Sequence, residues 1–244
     1  MKIQQGKVYK WGVREYFMNY TIKDKRYFEV LKKVTEEFER ENIDYALVGG
    51  AGIQARLANI LSKNGKIDMQ NLVEIDSLLR KTQDFDVTST SSEEDFVSFF
   101  NHLQAINPNL SVFHEALRSK RIHINGRKST DVFLNYQTGP TDFAGLDDNF
   151  YNECINTADF LNLHSGNSPL GVYVAKPEYL IAPKLTRMDP KDIFDITILL
   201  KSMQKYGRYN QISLCNNVKA LLDRAKKGEV FGRLEEIIGQ NLKE

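Results

Sequence analysis

The sequence predicts an α+β protein: an α/β N-terminal half, residues 1–150, and a helical C-terminal half, residues 151–244. Three observations carry this. The apolar run Tyr45–Val48 leads into a glycine-rich turn and a helical stretch, YALVGGAGIQA. Strand-like segments follow at 83–87 and 119–134. From about residue 150 the character changes and helical patterns dominate, at 176–188, 190–204, 214–226 and 230–241.

The elements can be justified in order. The aromatics Tyr9, Trp11, Tyr16, Phe17 and Tyr20 suit an extra strand or helix packed on the core. Residues 24–41 place Phe28, Leu31, Val34 and Phe38 on one helical face, with charges on the other, and Asn42 ends the helix. Ile43–Val48 is the first strand and 51–61 a helix. Residues 62–80 are ambiguous: Asn64-Gly65 marks a turn, and Leu72–Ile75 suits either a short strand or part of a helix. Gln83–Val87 is a strand, and Thr90 followed by Glu93 forms a capping box opening a helix over 92–104. Asn125-Gly126 is the preferred pair for a two-residue type I′ hairpin. In that register Ile124 faces Arg127 and Lys120 faces Asp131. Asp189-Pro190 opens a helix, and Pro183 kinks one or marks a new start.

Bulk properties exclude several classes. A net charge of +1, with 41% hydrophobic and 27% charged residues, describes an ordinary soluble chain with no global field toward nucleic acid. Cys154 and Cys215 form no metal or disulfide pattern. The start, MKIQQGKVYKWG, lacks a signal-peptide run, and no segment approaches the roughly 20 apolar residues of a membrane span. A cytoplasmic protein without a membrane partner is expected. His102, His114, His123 and His164 show no ligand spacing, and neither a P-loop nor a G-x-S-x-G elbow is present.

The chemistry concentrates at a few acids. In a strand, Asp84 and Asp86 share a face about 7 Å apart, where two carboxylates repel unless a divalent cation lies beside them. Taken alone, the pair is better read as a solvated strand end, and Asp131 as a cross-strand partner of Lys120. Together with a glycine turn able to cradle phosphate, three acids share one logic. They can hold two Mg²⁺ ions that bridge a triphosphate and activate an attacking hydroxyl. The basic run Arg118, Lys120, Arg121, His123, Arg127, Lys128 is either a solvated hairpin or a platform for an acceptor.

The order strand–Gly-Gly–helix, then Arg80-x-Thr82-x-Asp84-Phe85-Asp86-Val87, then an acid on a later strand resembles the nucleotidyltransferase-fold superfamily. Glu178-Tyr179-Leu180, Lys184-Leu185, Arg187, Lys191-Asp192 and Asp195-Ile196 resemble its AbiEii/AbiGii toxin-like branch, over roughly residues 43–200. The resemblance implies a polymerase beta-like mixed sheet with flanking helices and a C-terminal helical domain. It implies a nucleoside triphosphate and Mg²⁺, with Gly49 and Gly50 at the triphosphate and Asp84 and Asp86 on the metal. Asp131 is then a metal ligand or base, Lys184 binds a phosphate, Asp195 completes that wall, and Arg80, Thr82 and Arg187 assist. An RNA or protein acceptor and an antitoxin partner are implied by the branch. Asp192 also suits the first turn of a helix, and Lys191 stands four residues before Asp195.

Two departures from the pattern are visible. Ala51 replaces the usual hydroxyl residue, and 34 positions separate Gly50 from Asp84. They motivate a second expectation, a degenerate member that binds nucleotide or a partner without turnover. A third is a dinucleotide-binding oxidoreductase, from Gly50-Ala51-Gly52-Ile53-Gln54-Ala55 with Asp76 as the ribose acid. It would require repeated strand–helix alternation, which the later sequence lacks.

Overall fold

The first strand sets the architecture. In the computed structural model, β1 (Tyr45–Val48) is buried at every position, as a central strand requires. Residues 21–62, 67–68, 78–79, 84–89, 93–106, 110–113, 120–124, 132–137, 146–147, 149–165, 167–206 and 210–241 are described. Before β1, helix α1 (Lys25–Arg40) buries the predicted stripe of Phe28, Leu31, Val34 and Phe38. Asn42, at φ 54°, ends it in a Schellman arrangement: Ile43 N–H donates to the Phe38 carbonyl at 2.9 Å, and Asn42 N–H to that of Glu39 at 3.2 Å.

After β1 come α2 (Gly49–Leu61), β2 (Ile67–Asp68), β3 (Asp84–Ser89), α3 (Glu93–Ile106), β4 (Leu110–Phe113), β5 (Lys120–Ile124) and β6 (Val132–Gln137). Then follow α4 (Phe150–Asn156), β7 (Asp159–Ser165), β8 (Ser168–Val174), α5 (Pro177–Arg187), α6 (Pro190–Tyr206), α7 (Gln211–Arg224), a 3₁₀ turn (Gly228–Val230) and α8 (Phe231–Asn241). The described strands form one sheet in the order β2-β7-β8-β1-β3-β6-β5-β4. It is mixed: β1 runs antiparallel to β3 and parallel to β8, while β3 runs parallel to β6. The chain is therefore α+β, a mixed sheet with flanking helices followed by helices α5–α8. The antiparallel β1–β3 pair is not the geometry of a doubly wound parallel sheet.

Two expectations change. The sheet continues beyond residue 150, because the β7–β8 hairpin supplies β8, the neighbour of β1. The predicted hairpin register is also corrected. Ile124 pairs with Val132 and Lys120 with Tyr136, so the strands are joined by residues 125–131 rather than by two residues. The cause is β6: its other edge is fixed to β3 over five residues, and that pairing outweighs the local preference of Asn125-Gly126. Pro183 lies inside α5, which runs on to Arg187.

Helix α2 is the keystone, buried almost throughout and in contact with β3, α5 and α6. Its buried Arg56 donates to the carbonyls of Ala175 at 3.0 Å and Val174 at 2.6 Å, and to Asp159 Oδ2 at 2.6 Å. One guanidinium thus satisfies two buried carbonyls at the end of β8 and ties it to β7. Replacing Arg56 by methionine, which keeps the stem but strands two carbonyls, should cost about 2–4 kcal/mol in urea unfolding. A loss below 1 kcal/mol would show that water replaces the guanidinium at this site.

Candidate active site at the glycine turn

The register of β1 against β3 places Val48 opposite Asp86. The next residue, Gly49, turns the chain into α2 at φ 59°, in the left-handed region where a side chain is strained. A Cβ there would overlap Asp86 Oδ2 and lie 2.8 Å from its Cγ, so the carboxylate stands against the bare glycine. Asp86 is half-buried, as are Gly49 and Gly50. The N-cap residue Val48 gives α2 no side-chain cap, and no acid lies in its first turn. Backbone amides at such an end favour an anion. Ala51, in place of a hydroxyl residue, is fully buried and serves packing. Gly52 allows close approach of α5: a Cβ there would lie 2.9 Å from Leu180 Cδ2.

Asp84 is the first residue of β3, two before Asp86, in register with Phe133 of β6. Arg80, Thr82 and Asp131 lie outside the described residues, as do Asp76 and Thr90. Oxygen donors from carboxylates suit a hard cation such as Mg²⁺, so Asp86, with Asp84 on the same strand, fits that metal chemically.

The other predicted residues meet at the α5–α6 corner. Lys184 Nζ donates to Asp195 Oδ2 at 2.7 Å and to Asp192 Oδ1 at 3.0 Å. Arg187 reaches Asp192 twice, through Nε at 3.2 Å and Nη2 at 2.9 Å. Lys184, Asp192 and Asp195 are all buried. Burial alone would raise the Asp192 carboxyl, but Lys184 and Arg187 outweigh it and hold the group below the ordinary carboxylate range. Two cations and two anions thus neutralise one another. The structure therefore brings Gly49 to Asp86, and Lys184 to Asp195 with Arg187 and Asp192. Helix α2 joins the two groups, since Leu180, one turn before Lys184, packs on Gly52.

The rest of the Glu178-Tyr179-Leu180 motif docks helices. Buried Glu178 accepts from Asn217 Nδ2 at 3.1 Å, and the Tyr179 hydroxyl donates to Glu153 Oε2 at 3.3 Å. Arg224 clasps Glu153 with two bonds of 2.7 Å and also reaches Asp147, linking α7 to α4. Burial pushes the Cys154 thiol well up, so it is a packing residue rather than a nucleophile. Sequence reasoning missed Arg56; its signal was the one charged residue in GGAGIQARLANIL. Among the described residues, Glu37, Glu41 and His102 could gather around a cation, but Arg40 already pairs with both glutamates. No described helix is long and apolar enough to cross a membrane.

No family model matches the chain, and no curated protein matches its sequence. Solved structures of similar shape are found at low identity. The antibiotic-resistance factor ANT(2″)-Ia, in a solution structure, is 15% identical with a TM-score of 0.46, over 87% of this chain and 97% of its own. A crystal structure of ANT(2″)-Ia with adenylyl-2″-tobramycin gives 14% and 0.44, over 82% and 98%. An H. pylori protein provisionally described as a nucleotidyltransferase gives 12% and 0.44, over 89% and 95%.

Proposed function

We propose that the chain is an NTP- and Mg²⁺-dependent nucleotidyltransferase that transfers a nucleoside monophosphate to a hydroxyl of an RNA or a protein. The observation that carries this reading is the contact between the Asp86 carboxylate and Gly49 at the open end of α2. An anion-favouring turn and a carboxylate stand side by side, the pairing needed where a polyphosphate meets its cation. Mg²⁺, when bound, would neutralise phosphate charge and favour an acceptor alkoxide.

In this reading Gly49 and Gly50 present backbone to the outgoing phosphates, and Asp84 and Asp86 hold the metal. Asp131 is a further metal ligand or takes the proton of the acceptor hydroxyl, while Arg80 and Thr82 steady the nucleotide. The acceptor oxygen bonds to the α-phosphorus, and the bond to the β-phosphate bridging oxygen breaks, releasing pyrophosphate. A toxin-like role in the cytoplasm, restrained by an antitoxin partner, accords with the AbiEii-like order of residues 178–196.

A second reading has its own observation: Lys184 is held by two buried carboxylates, so a phosphate would have to displace an ion pair to reach it. That favours a degenerate binder, in which Lys184, Asp195 and Arg187 only join α5 to α6. Incubation with each of four α-labelled NTPs, Mg²⁺ and cell lysate separates the readings. Label should move onto an RNA or protein band, and Asp84→Ala/Asp86→Ala should abolish it. Binding of NTP and Mg²⁺ in calorimetry without label transfer would support the degenerate binder instead, and no binding would sink both.

A further inference from the structure

We propose that Gly49 is a positioning residue for Asp86: the first glycine of the turn is there to seat the acid, beyond any contact with phosphate. Three observations converge. The position a side chain would take at residue 49 is filled by the Asp86 side chain, with Oδ2 overlapping it, Cγ at 2.8 Å and Cβ at 3.0 Å. The backbone cannot yield, because Val48 pairs with Asp86 in a strand buried at all its positions. And Gly49 holds φ 59°, a left-handed conformation in which an L side chain is strained.

Gly52 shows the contrast. Its empty Cβ position faces Leu180 Cδ2, the end of an apolar side chain, and the Leu47 carbonyl. Its job is helix packing. At Gly49 the neighbour is a carboxylate, with Oδ2 beside the first residue of α2. A methyl group there would force Asp86 to rotate away from that turn. The chain could keep its fold and yet lose the geometry of the cation site.

The consequence for cation binding rests on the nucleotidyltransferase reading; the steric coupling does not, and the experiment separates them. In a double-mutant cycle, Gly49→Ala is made in the natural chain and in the Asp86→Ala background, and each protein is melted. Part of the cost of Gly49→Ala is the left-handed backbone, common to both backgrounds. The carboxylate clash exists only in the natural chain, so the melting temperature should fall about twice as far there as in the Asp86→Ala background. Folding of the double variant where Gly49→Ala alone does not fold would support the coupling equally. Equal losses in the two backgrounds, including failure of both to fold, would overturn it.

Mn²⁺ binding, read by electron paramagnetic resonance without nucleotide, completes the test. The natural chain should bind Mn²⁺, and Gly49→Ala should bind at least about tenfold more weakly, the loss of one well-placed carboxylate. Unchanged Mn²⁺ affinity in Gly49→Ala would overturn the positioning role. If the natural chain binds no Mn²⁺ while the melting cycle shows coupling, the cation role of Asp86 fails and the seating of Asp86 by Gly49 stands.

Discussion

Replacing Lys184 by methionine should cost about 3–5 kcal/mol of unfolding free energy, because it leaves the buried Asp192 and Asp195 without the ammonium between them. Asp192 keeps its bonds to Arg187. A second substitution, Asp195→Leu, should therefore recover most of the loss, since an apolar pair of similar volume avoids burying charge. Urea denaturation of the three proteins measures both steps. A loss under 1 kcal/mol for Lys184→Met would show that the corner tolerates uncompensated charge and that Lys184 does not hold it together.

The same cluster sets an acid limit. The folded Asp192 carboxyl lies below its ordinary value, so its contribution is fully present above the unfolded pKa of about 4. It is lost as pH falls through the depressed folded value. The natural chain should lose stability more steeply below about pH 4 than Lys184→Met does, because that substitution removes a main cause of the depression.

What could be read from the sequence follows how local each signal is. The glycine turn, helix α1 and the helices beyond residue 176 announce themselves through adjacent residues: a doubled glycine, a 3.6-residue stripe, Asp189-Pro190. The pairing of β5 with β6 does not, because its register is decided by β3, more than 30 residues earlier in the chain. Strands β7 and β8 escaped for another reason. Their outer face carries Phe160 and Tyr173, 48% and 40% exposed, so alternation of polar and apolar residues is blurred. The flat seat of Phe160 over Gly171 replaces that missing pattern with a cross-strand contact.

The acids divide in the same way. Asp84 and Asp86 were legible as a pair two residues apart on a strand, and their strand exists. The contact of Asp86 with Gly49 was not, since it depends on the antiparallel register of β1 with β3. Lys184 and Asp195 came from motif order alone, and charged residues on helices usually mean surface. Only the three-dimensional corner shows them buried against each other.

On the nucleotidyltransferase reading proposed above, Asp86→Asn should lower nucleotidyl transfer about 10³-fold, the equivalent of several kcal/mol of charge stabilisation removed from the transition state. The amide has the shape of the carboxylate, so it keeps its seat against Gly49. Its loss of charge near the α2 N-terminus forfeits about 0.3–1 kcal/mol of helix-end stabilisation, a shift of only a few degrees in melting. The two substitutions therefore separate along different axes. Lys184→Met damages folding first, whereas Asp86→Asn should spare folding and remove turnover. Transfer retained within tenfold in a well-folded Asp86→Asn protein would mean that the acid beside the glycine turn carries no catalytic charge. The contact would then be a helix-end cap, and the metal-holding role of Asp86 would fail although turnover persists.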